Sequence, residues 1–130
     1  MIVVDASTLL EVLLNTPAAF RLAGRLFAAN ETLHAPHLVD LEIAQVLRRY
    51  ALAGELSPSR GRQALLDLGD FHLVRYPHDL LLPRIWELRH NITAYDAAYI
   101  ALAEGLAAPL LTRDAALASA SGHRAQIELV

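Results

Sequence analysis

The chain has 130 residues, a net charge of -3 and an isoelectric point near 6.0, which is the size of one domain and lacks a strongly basic nucleic-acid footprint. A hydrophobic content of 55% with 19% charged residues excludes a disordered chain, and 49 residues of Ala and Leu favour helix over an all-β fold. The absence of cysteine and lysine excludes disulfides, thiolate zinc sites, cysteine nucleophiles, Walker-type phosphate loops and Schiff-base chemistry.

Met1-Ile2-Val3-Val4-Asp5 enters a strand-like run at once, with no basic region of a signal peptide before it. Ile2 to Val4 reads as a short buried strand and Ser7 to Leu14 as a helix, stopped near Asn15-Thr16-Pro17. Ala18 to Ala29 has helical composition, with Phe20, Ala23 and Phe27 on one face, and Leu33 to Ala35 reads as a strand before Pro36. Leu38 to Ala53 is the clearest amphipathic helix, its stripe formed by Val39, Ile43, Val46, Leu47 and Tyr50. Gly54 ends it. Ser57 and Pro58 then have the chemistry of an N-cap and a first helical residue, opening a helix to about Leu68. Phe71 to Val74 reads as a strand, Asp79 to His90 as a helix, and Ala94 to Glu104 as a helix closed by Gly105. Pro109 to Leu111 is a strand, Asp114 opens a short helix, and Ile127 to Val130 is a last strand.

Strands alternating with helices predict one α/β domain over residues 1–130, three layers deep, with a central, mainly parallel sheet flanked by helices. No apolar stretch approaches the roughly 18 residues of a membrane span, so a soluble, cytoplasmic chain is expected. Ligands of parallel sheets sit beyond the carboxyl ends of the strands, so residues just past strands carry the functional question.

Four carboxylates stand out. Asp5 and Asp114 each directly follow a strand; taken alone, Asp5 would serve equally as a helix-start residue, and Asp114 reads first as the N-cap of the helix from Ala115. Asp96 is the only charged residue between Ala94 and Ala103, and a carboxylate in so apolar a helix is costly unless it is paired or holds a metal. The local alternative is a capping box with Thr93 as N-cap, and both roles are compatible. Glu42 lies about 90° from the centre of its helix's apolar stripe, where a side chain reaches into a cleft. Asp40 lies near the opposite boundary and is the rival.

If these acids converge they cannot all ionise unaided, since two unit charges about 4 Å apart repel by on the order of 4 kcal/mol at an effective dielectric of 20. Either some pKa values rise or cations neutralise the cluster. An all-oxygen donor set suits Mg²⁺ or Mn²⁺, ions that promote phosphoester hydrolysis by acidifying water and neutralising phosphate charge.

The pattern resembles the PIN-domain ribonucleases, and within them the toxins of VapBC-type toxin–antitoxin pairs, over essentially the whole chain. The resemblance is carried by Ile2-Val3-Val4-Asp5-Ala6-Ser7, by Ala35-Pro36-His37-Leu38 with Glu42-Ile43-Ala44 and Val46-Leu47-Arg48-Arg49, by Thr93-Ala94-Tyr95-Asp96 through Ala103, and by Leu110-Leu111-Thr112-Arg113-Asp114. It implies a metal site of Asp5, Glu42, Asp96 and Asp114, supported by the hydroxyls of Ser7 and Thr112, with Mg²⁺ or Mn²⁺ as cofactor. It also implies endonucleolytic cleavage of tRNA or ribosomal RNA, a VapB-like antitoxin partner and a homodimer. One departure is Gln45, where members often carry Asn.

Arg48, Arg49 and Arg113 are candidates for contact with RNA phosphate or an antitoxin acid, against a helix-dipole role for the first two. The six histidines (34, 37, 72, 78, 90 and 123) show no metal-ligand pairing. Phe20, Phe27, Tyr50 and Trp86 read as core, whereas Leu38 and Leu41 point away from their helix's stripe, toward a partner surface or another helix. Two competing readings remain. A phosphoacceptor receiver-like domain lacks its site lysine here, and an inactive PIN-like module that binds RNA or a partner is opposed by retention of all four acids.

Overall fold

A computed structural model describes all 130 residues. The strands are β1 (Ile2–Val4), β2 (Leu33–Pro36), β3 (Leu73–Tyr76), β4 (Leu110–Thr112) and β5 (Ile127–Leu129). They form one sheet in the order β3-β2-β1-β4-β5, and every pairing is parallel. The helices are α1 (Ala6–Leu13), α2 (Ala19–Leu26), α3 (Leu38–Leu52), α4 (Pro58–Asp70), α5 (Leu82–Glu87), α6 (Ala94–Leu106) and α7 (Ala115–Ala118), with a 3₁₀ turn at Asp79–Leu81 before α5.

The apolar Ile2-Val3-Val4 of β1 and Leu110-Leu111 of β4 are what strands covered on both faces require. Ile2, Val3, Val4, Leu110 and Leu111 are all buried. One group of helices is built around α1, which packs against α2, α3 and α4, while α6 packs against β1, β2 and β4. From β1 the chain steps outward to β2 and β3, then crosses to β4 and β5 on the other side. The strand order therefore reverses beside β1, and an open parallel sheet has its natural crevice there. No helix is long and apolar enough to cross a membrane.

Several local expectations are met. Ser57 caps α4, its Oγ accepting from the Arg60 N–H at 3.1 Å, and Pro58 is the first residue of that helix. Thr93 caps α6, accepting from the Asp96 N–H at 3.2 Å. Others are corrected. The third strand is Leu73–Tyr76 rather than Phe71–Val74, because the helix before it runs on to Asp70. The expected helix over 79–90 is a 3₁₀ turn followed by a short helix that stops at Glu87. α2 spans only eight residues, and the face it buries is Ala19, Leu22 and Leu26. Phe20, one residue on, is rotated by about 100° and is 92% exposed. Phe27 is also exposed and meets Phe71 edge to face. Trp86 is 68% exposed because α5 buries none of its residues, and the Arg89 guanidinium lies 4.6 Å from its ring centroid. Leu38 packs on the core of its own chain, whereas Leu41 is 76% exposed.

α6 does not close at Gly105 but two residues later, with Ala107 in the left-handed region at φ 50°. An alanine there strains against its own Cβ, a cost that glycine escapes. Ala107→Gly is therefore expected to stabilise the fold by about 1 kcal/mol, read as a higher denaturant midpoint at unchanged slope.

Candidate active site

The crevice at the reversal point is lined by the carboxyl ends of β1 and β4 and by α1, α3 and α6, and encloses about 330 Å³. Asp5, Glu42, Asp96 and Asp114 all line it. Asp5 leaves β1 and caps α1, so its position is fixed by backbone. Its side chain is held on both oxygens. Oδ1 accepts from Ser7 Oγ at 2.7 Å and from the Thr8 N–H at 3.1 Å, and Oδ2 accepts from Thr112 Oγ1 at 2.5 Å. The two hydroxyls are themselves fixed, because Ser7 Oγ accepts from the Arg113 N–H and Thr112 Oγ1 from the Asp114 N–H, both at 3.0 Å. A hydroxyl that accepts from backbone and donates to Asp5 ties β1 to β4 across the crevice.

Asp114 does two things. It caps α7 with Oδ1, which accepts from the Ala116 N–H at 2.9 Å and, more weakly, from the Leu117 N–H at 3.4 Å, and Oδ2 makes no hydrogen bond. Capping leaves Oδ2 unengaged, so the two readings of this residue are compatible. At Asp96 the capping box is half formed. Its N–H donates to Thr93 Oγ1, but its carboxylate returns no bond and remains free in the crevice. Glu42 reaches in from α3, and its Oε1 accepts from the Tyr99 hydroxyl at 2.5 Å. The rival Asp40 is engaged elsewhere, its two oxygens accepting from Arg75 Nε at 2.8 Å and Nη2 at 2.9 Å.

The electrostatics follow from this packing. Burial raises the Asp5 pKa, against the pull of its three hydroxyl and amide donors. Burial, with the Asp5 and Asp96 charges, raises Glu42 despite the Tyr99 hydrogen bond. Burial, with the Asp114 and Asp5 charges, raises Asp96. None of the four is ion-paired with an arginine. A largely buried set of carboxylates that carries no protein counter-ion fits a hard divalent cation. No three acidic or histidine side chains stand close enough to chelate an ion by themselves.

The PIN-domain family model matches residues 2–122. The chain belongs to the PIN-domain family. It is 46% identical over 130 residues to Ribonuclease VapC9 of Mycobacterium tuberculosis, covering 100% of this chain and 98% of that protein. The crystal structure of PAE2754 from Pyrobaculum aerophilum superposes with a TM-score of 0.72 at 24% identity, over 99% of this chain and 83% of that one. The crystal structure of VapBC2 from Rickettsia felis, bound to a DNA fragment from their promoter, superposes with a TM-score of 0.70 at 17% identity, over 98% of each chain.

In this PIN domain of the VapC ribonuclease type the three candidate arginines part company. Arg49 lines the crevice and forms no ion pair, whereas Arg48 is exposed outside it. Arg113 lines it too but is committed, with Nε 3.1 Å from Glu11 and Nη1 donating to the Val130 carbonyl at 2.9 Å. Gln45 is exposed and takes no part in the lining, so the departure from Asn falls outside the crevice. Tyr50, expected in the core, lines the rim with 37% of its surface exposed. Glu11 and Tyr99 belong to the site and were not expected there. Tyr99 sits among alanines and reads as core, and Glu11 is tied to the site by partners far off or outside its helix, Arg113 and the Thr16 hydroxyl.

Proposed function

We propose that this PIN domain is a Mg²⁺- or Mn²⁺-dependent endoribonuclease, the toxin of a toxin–antitoxin pair, acting at Asp5, Glu42, Asp96 and Asp114. One observation carries this reading: four carboxylates from four separate elements meet in one crevice with no arginine paired to any of them. Asp5, Glu42, Asp96 and Asp114 would present oxygens to the ion or to its waters, and Ser7 and Thr112 hold Asp5 in place. When bound, the ion supplies an acidified water and offsets charge on the phosphodiester. In the hydrolysis a water oxygen adds to phosphorus while the bond to the departing ribose oxygen breaks. The attacking water gives its proton to a carboxylate of the cluster, and the departing ribose oxygen takes one up from solvent.

The substrate is tRNA or ribosomal RNA, by resemblance to the family. On the same ground the partner is a VapB-like antitoxin and the chain pairs as a homodimer, for which exposed Leu41, Leu80 and Trp86 provide apolar surface. Expression of the chain without antitoxin is expected to arrest growth of a bacterial host and leave cut RNA, and the Asp5→Ala chain to do neither. Arrest by both would refute the assignment.

The arginines give a finer prediction. Arg49→Ala is expected to raise KM by about 10-fold and lower the salt dependence of binding by about one phosphate contact, with kcat little changed. Arg48→Ala, outside the crevice, is expected to leave both unchanged. Steady-state cleavage of a short RNA at several salt concentrations checks the pair.

A further inference from the structure

Of the four acids, Glu42 is the one whose position its own backbone does least to fix. Asp5 and Asp114 are helix caps, and Asp96 is a short side chain at the start of α6. Glu42 has one more torsion than they do, projects from a half-buried position on α3, and makes a single hydrogen bond, to Tyr99. Tyr99 comes from α6, which packs on β1, β2 and β4, whereas α3 packs on β2 and with α1 and α4. The bond therefore joins two separately packed helices over the carboxyl ends of the strands. The Tyr99 ring is locked, being 1% exposed in a run from Ala97 to Ala103 that is buried throughout. A rigid donor on a flexible carboxylate removes rotamer freedom that metal binding would otherwise have to remove.

We propose that Tyr99 is a positioning residue, its hydroxyl committing one oxygen of Glu42 to the protein and leaving the other for the divalent cation. The inference rests on the metal-site reading above. Burial and the Glu42 charge both raise the Tyr99 pKa, so the phenol remains a donor at every working pH.

The test is Mn²⁺ binding to the RNA-free chain, followed by electron paramagnetic resonance and by titration calorimetry. Tyr99→Phe keeps the ring and removes the donor. It is expected to weaken Mn²⁺ binding by about 10-fold and to raise the Mg²⁺ concentration for half-maximal cleavage by the same factor. In a Glu42→Gln background, adding Tyr99→Phe is expected to cost nothing more. A merely structural tyrosine would lower thermal stability and leave the Mn²⁺ affinity alone, and that outcome overturns the inference. Absence of Mn²⁺ binding by the unsubstituted chain overturns the metal site itself and the inference with it. If Tyr99→Phe fails to fold, 3-fluorotyrosine labelling of a Tyr50→Phe chain, which lacks the other tyrosine of the crevice, gives a second reading. Mg²⁺ is then expected to shift one of the three remaining fluorine resonances, and that shift to vanish on adding Glu42→Gln. No shift overturns the proposal.

Discussion

Asp96→Asn is expected to lower RNA cleavage by at least about 10³-fold while raising the melting temperature of the metal-free protein by about 2–4 °C. The two effects have one cause. Asp96 makes no hydrogen bond with its carboxylate, and burial together with the charges of Asp114 and Asp5 raises its pKa. A carboxylate whose folded pKa lies above its unfolded value binds its proton more tightly in the native state. Between those two values the native state holds more protons, so stability falls as pH rises, and above the folded pKa the full cost is present. Asparagine removes the charge and retains the Thr93 cap, which is made by the backbone N–H. The advantage of Asp96→Asn over the unsubstituted chain is therefore expected to widen as pH rises from about 4 toward neutrality and to shrink when Mg²⁺ is added. Paired thermal melts across that range check the sign. Opposite signs for activity and stability distinguish a functional carboxylate from a structural one, since a mere capping residue would lose stability with its side chain.

Removing divalent cations is expected to abolish cleavage and to lower the melting temperature. At a Mg²⁺ concentration about 100 times its dissociation constant, an ion bound only by the folded state contributes about 2.7 kcal/mol. In a domain of this size that corresponds to a shift of about 10 °C between Mg²⁺ and EDTA. The shift should be much smaller in Asp5→Asn, because Asp5 is the acid most tightly oriented by its neighbours. An equal shift in both proteins would place the ion elsewhere. Burial first, and the neighbouring acids second, raise the Asp96 and Glu42 pKa values, and a bound cation would favour the ionised form of both.

What was legible in the sequence was whatever short-range pattern determines. Asp5 and Asp114 could be placed because a strand ends immediately before each, and the carboxyl ends of parallel strands share one edge. Asp96 was conspicuous because its flanks are apolar, and Ser57-Pro58 and Thr93 because capping is local. What was not legible depends on partners far along the chain. The choice between Asp40 and Glu42 turned on Arg75, 35 residues away from Asp40. The role of Tyr99 turned on Glu42, 57 residues away. Phe20 and Trp86 misled for a related reason. An aromatic residue in an apolar sequence reads as core, but in a helix of six or eight residues the packing of one neighbouring face decides which side chains are covered.

Cleavage of end-labelled total tRNA by the purified chain tests the central claim most directly, run with Mg²⁺ or Mn²⁺, with EDTA, and beside Asp5→Asn. Discrete fragments that need the cation and are absent with Asp5→Asn are the expected result. Fragments that persist in EDTA or with Asp5→Asn would contradict a metal-dependent nuclease centred on the four carboxylates.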